Sequence, residues 1–74
     1  MDIEARLRKL ESRYRSALSA TVAAKANYLA LIGEPSATLA AVERAKSRWQ
    51  QLDARKRAIA VQMGELEELQ DTAV

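Results

Sequence analysis

The chain has 74 residues, is 49% hydrophobic and 30% charged, and carries a net charge of +2. That length allows one small domain with a marginal core, and the apolar content is too high for a disordered chain. The absence of cysteine and histidine excludes a disulfide framework, thiolate metal sites and the commonest general base; a charge of +2 is too small to imply a nucleic-acid partner by itself.

Alanine, leucine and the long polar residues dominate, as in long helices. Residues 1–6 alternate charged and apolar side chains, which does not suit the h-region of a signal peptide. The longest uncharged run, Ser16–Ala24, is too short to span a bilayer. The expectation is a cytoplasmic protein with no membrane partner.

Asp2 is placed to cap a first helix over about residues 2–32. Ile3, Leu7, Leu10, Tyr14, Ala17, Thr21, Ala24, Tyr28 and Leu31 follow an unbroken 4-3 spacing, the heptad seam of helices packed at a shallow angle. Acids precede bases by four positions at Asp2/Arg6, Glu4/Arg8 and Glu11/Arg15, each pair supporting a helix by about 0.2–0.5 kcal/mol.

Gly33-Glu34-Pro35-Ser36 then interrupts the pattern with the only proline and one of two glycines. Glycine is suited to the left-handed closure of a helix, proline lacks the N–H needed to continue one, and Ser36 or Pro35 can begin the next. The expected turn is 33–36, followed by a helix over about 36–70.

In that second helix Val42, Ala45, Trp49, Leu52, Lys56, Ile59, Met63, Leu66 and Gln70 repeat the seam, and Asp53/Arg57 adds a charge pair. Gly64 weakens the helix by about 1 kcal/mol relative to Ala, yet Leu66 and Leu69 carry the pattern past it to fraying near Asp71. Folding at the turn pairs residues whose numbers add to 69 or 70, setting Thr21 against Trp49, Ala24 against Ala45, Tyr28 against Val42 and Tyr14 against Lys56. Leu39, one place off its seam position, pairs with Leu31. The fold class is therefore all-α: one antiparallel two-helix hairpin, residues 1–74, with coiled-coil-like packing.

Beside the first seam runs a second apolar line of Leu18, Val22, Leu29 and Ile32, interrupted by Lys25. An apolar arc wider than one partner helix covers implies a bundle of more than two helices. The expected partner is a second copy, giving a homodimeric four-helix bundle; the alternative occupant is a helix of another protein.

A basic belt of Arg8, Lys9, Arg13, Arg15, Arg55, Lys56 and Arg57, with Tyr14 as a stacking group, offers a polyanion site and an alternative role in RNA or DNA binding. Its bland counterpart is a solvated charged face. Glu65, Glu67, Glu68 and Asp71 fall beside Arg6, Arg8 and Lys9, which suggests intramolecular charge pairing rather than a carboxylate metal site. Lys56 on the seam is expected to lay its stem along the core and bring its ammonium out to water; Trp49 is expected to be a core knob. No GxGxxG, Walker, HExxH, CxxC or GxSxG pattern occurs. The expected function is a non-catalytic, self-associating protein–protein interaction module, with no catalytic residue, metal, cofactor or small-molecule substrate.

Overall fold

The computed structural model describes residues 2–72. Met1, Ala73 and Val74, included in the expected domain, lie outside the described residues. Two helices, α1 (Ile3–Ile32) and α2 (Leu39–Thr72), pack along one another as an all-α hairpin in a rod of 58 × 15 × 14 Å.

Helix α1 begins as the sequence indicates. Asp2 sits in extended backbone and its Oδ1 accepts the Ala5 N–H at 3.2 Å, satisfying one of the first-turn donors. The other end differs from expectation. Gly33 closes α1 in right-handed geometry, φ −81° and ψ −2°, with its N–H on the Leu29 carbonyl at 3.2 Å. A left-handed closure is unnecessary because the reversal is made one residue later, by a β-turn in which the Ala37 N–H meets the Glu34 carbonyl at 3.1 Å. Pro35 occupies the second place of that turn, where its fixed φ is favourable.

The start of α2 is also displaced, from residue 36 to Leu39. The Ser36 hydroxyl is already used, donating to Glu34 Oε1 at 2.9 Å, so it does not cap a helix. Thr38 takes that place, its Oγ1 accepting the Ala41 N–H at 3.1 Å. The connection is thus longer than the expected four-residue turn. From Leu39 the helix continues through Gly64 to Thr72.

Every seam residue of both helices is buried or half-buried, and in α1 all the other residues are exposed. The fully enclosed part of the core is thin: Thr21, Ala24 and Ala45 are 5–8% exposed, and among the described residues no large side chain is completely buried. Thr21 fits there because its hydroxyl donates to the Ala17 carbonyl at 2.7 Å. Leu39 is 77% exposed, so it does not meet Leu31 in the core; one position off the seam on a helix is enough to turn it to water.

The aromatic residues meet outside the expected pairs. Trp49 stacks on Tyr28, ring centroids 5.6 Å apart and planes 15° apart, and Lys25 Nζ lies 5.5 Å from the Trp49 ring. Both contacts lie nearer the turn than Thr21, the partner expected for Trp49. A pairing slid by three residues, which the longer connection accommodates, would set Trp49 opposite Ala24 and Tyr28 opposite Ala45. Each large ring would then face a small residue, consistent with the burial of those two alanines.

Candidate functional site

The seam divides the rod into two long flanks, and sequence position decides which side chain lies on which. A residue immediately before a seam position falls about 100° to one side of it, and a residue immediately after falls to the other. Because the helices are antiparallel, the preceding positions of α1 and α2 share a flank. The grooves of the structure follow this rule. Arg6, Lys9, Arg13, Ser16 and Ala20 of α1 line the same grooves as Arg55, Gln62, Glu65 and Leu69 of α2.

The opposite flank carries Leu18, Val22, Leu29 and Ile32. All four are exposed, from 39% for Leu18 to 60% for Val22. They form one stripe on the turn-proximal half of α1, alongside Lys25. Leu39, Val61 and Leu69 are exposed too, but they are dispersed on α2.

The seven cations of the expected basic belt are separated by this geometry. Lys9, Arg13 and Arg55 line the grooves of the first flank. Arg8, Arg15 and Arg57 follow seam residues and belong to the other. Lys56 is held in the seam at 22% side-chain exposure, its Nζ 3.0 Å from Asp53 Oδ1. Arg57 meets the second oxygen of the same carboxylate at 2.8 Å. Lys56 therefore turns along its own helix to a half-buried acid. The hydrogen bond from Lys56, with the nearby charges of Arg57, Lys56 and Lys25, holds the Asp53 carboxyl below the usual carboxylate range despite partial burial.

Among the described residues Asp53/Arg57 is the one expected four-residue pair that closes; Asp2 is occupied as a cap, while Glu4 and Glu11 remain solvated. Glu65 shares a groove with Arg6 and Lys9 but makes no ion pair with them. Tyr14 is half-buried on the seam, and no three carboxylates among the described residues converge as metal ligands. No helix is long and apolar enough to cross a membrane, again among the described residues.

Grouping cations by nearness in the chain overlooks Arg6, Arg44 and Arg48, all exposed. The signal that finds them is their place one residue before Leu7, Ala45 and Trp49. With Lys9, Arg13 and Arg55 they give the first flank six cations against two acids, Asp2 and Glu65. The second flank, counted in the same way, has five cations (Arg8, Arg15, Lys25, Lys46, Arg57) against six acids (Glu4, Glu11, Glu43, Asp53, Glu67, Asp71).

The fold and these surfaces define the class: a two-helix hairpin with one apolar-striped flank and one basic flank. Comparison with protein families, curated proteins and solved structures finds no match for the chain.

Proposed function

We propose that the protein is a non-catalytic interaction module that associates with a second copy of itself through the flank bearing Leu18, Val22, Leu29 and Ile32. The carrying observation is that these four large apolar side chains form one exposed stripe on a rod whose own enclosed core consists of Thr21, Ala24 and Ala45. Full burial of such a side chain contributes about 1.5–3 kcal/mol. Since each is roughly half exposed, the stripe offers roughly 3–6 kcal/mol per chain and twice that per dimer. A standard interface takes about 800 Å² from each partner, a small share of the 5664 Å² surface of this hairpin. A second hairpin of the same length supplies a matching stripe, and the product is a four-helix bundle.

Light scattering coupled to gel filtration tests this directly. The expected result is a dimer at micromolar concentration, with a thermal midpoint that rises with concentration as mass action requires. Leu18→Gln with Leu29→Gln shifts the population to monomer. A wild-type monomer whose midpoint is independent of concentration overturns self-association and leaves the stripe to a helix of another protein.

A further inference from the structure

We infer that the first flank is a binding track for the phosphate backbone of a single-stranded nucleic acid. This goes beyond self-association and uses the opposite side of the rod. Its residues are Arg6, Lys9, Arg13, Arg44, Arg48 and Arg55, only three of which belong to the belt of neighbouring cations in the sequence.

Four observations converge. The first is the asymmetry: a chain with 12 basic and 10 acidic residues concentrates six cations on this flank against two acids, Asp2 and Glu65. The second is linearity. At about 1.5 Å per residue, Arg6, Lys9 and Arg13 follow one another at about 4.5 and 6 Å along α1, and Arg44, Arg48 and Arg55 at about 6 and 10.5 Å along α2. The two series join where Arg13 and Arg55 line one groove, giving a row roughly 30–35 Å long that crosses once from α1 to α2.

The third is availability. All six are exposed, and the ion pairs among the described residues are both made by Asp53, on the other flank. The fourth is the groove beneath the centre of the row, where Ser12, Ser16, Ala17 and Ala20 present small uncharged side chains over which a backbone can approach closely. Five of the six cations are arginines, whose planar fork grips phosphate oxygens in pairs. A duplex backbone winds away from a straight rod, whereas a flexible single strand follows it. Without an exposed aromatic row on this flank the contacts are with phosphate and carry no base preference.

Fluorescence anisotropy with a labelled oligothymidylate of about 16 nucleotides, titrated across a salt series, is the test. Each phosphate neutralised on a single strand contributes about −0.7 to the slope of log affinity against log salt, so six cations give a slope near −4. Arg13→Gln/Arg48→Gln/Arg55→Gln should bring the slope to about −2 and weaken low-salt binding about tenfold or more. Arg8→Gln/Arg15→Gln/Arg57→Gln removes the same charge from the other flank and should leave the slope near −4. Circular dichroism verifies that both variants remain helical; should the first fail to fold, Arg48→Gln alone carries the test with a slope change of about 0.7. The inference is overturned by equal losses in the two triple variants, by a wild-type slope shallower than about −1, by no binding of the oligonucleotide at low salt, or by tighter binding of a duplex of equal length.

Discussion

Replacing Trp49 by Ala is expected to remove the largest single contribution to the packing of the hairpin. Trp49 is half-buried, so the loss falls at the low end of the range for core Trp→Ala changes, about 3 kcal/mol. Within that figure the stacked Tyr28 ring supplies about 0.5–1.5 kcal/mol. The exposed Lys25 ammonium, 5.5 Å from the ring centroid, adds about 0.5 kcal/mol. A domain of this size has a total stability of about 4–11 kcal/mol. The substitution therefore lowers the thermal midpoint by about 12–24 °C at fixed protein concentration. Urea unfolding followed by far-UV circular dichroism gives the magnitude. A double-mutant cycle of Tyr28→Leu and Trp49→Leu isolates the ring contact as a coupling of about 0.5–1.5 kcal/mol. A Trp49→Ala cost below about 1 kcal/mol, or a vanishing coupling, would refute the reasoning for both the packing and the register.

Three other outcomes follow from the structure. Cysteines at Leu10 and Met63 should crosslink within one chain faster than cysteines at Leu10 and Ile59; the reverse order would restore the shorter-turn register. Gly64→Ala should stabilise α2 by about 0.5–1 kcal/mol, because a Cβ at that position meets nothing within 4 Å; a lowered denaturation midpoint contradicts that. Asp53 has a depressed folded-state pKa, so its contribution is present above the ordinary aspartate value of about 4 and is lost as pH falls through the lower folded value. Asp53→Asn should flatten that acid limb in a stability–pH profile, and an unchanged profile would show that the pairing with Lys56 and Arg57 is energetically silent.

The seam was legible because it depends only on local repeat: a side chain at a 4-3 position faces the partner wherever the partner begins. Register is a different kind of information. A 4-3 pattern superposes on itself after a slip of half a heptad, so apolar meets apolar in both alignments. The choice rests on side-chain volume, Trp49 and Tyr28 each needing a small residue opposite, and on the length of the connection. The sequence leaves that length open because Ser36 and Thr38 are both competent caps. The difference lies in Glu34, whose carboxylate engages Ser36 and leaves Thr38 to begin α2. The apolar stripe could be read from α1 alone. The basic flank could not, since Arg13 and Arg55 belong to one surface only after the chain has folded back.

Taken together, the proposed self-association and the proposed phosphate track would decide how a dimer handles more than one strand. In a dimer joined along the apolar stripes, the basic tracks look outward on opposite sides, separated by about 30 Å, twice the 15 Å thickness of one rod. A strand held on the proposed track of one copy would be out of reach of the other, so the pair would act as a bridge rather than a clamp. Two segments of one long strand seated on the two tracks would prolong each other's hold, most strongly where the stretch between them is only long enough to span the gap. Compaction of long strands, with little gain in affinity for short ones, is the behaviour such a two-sided bundle would impose.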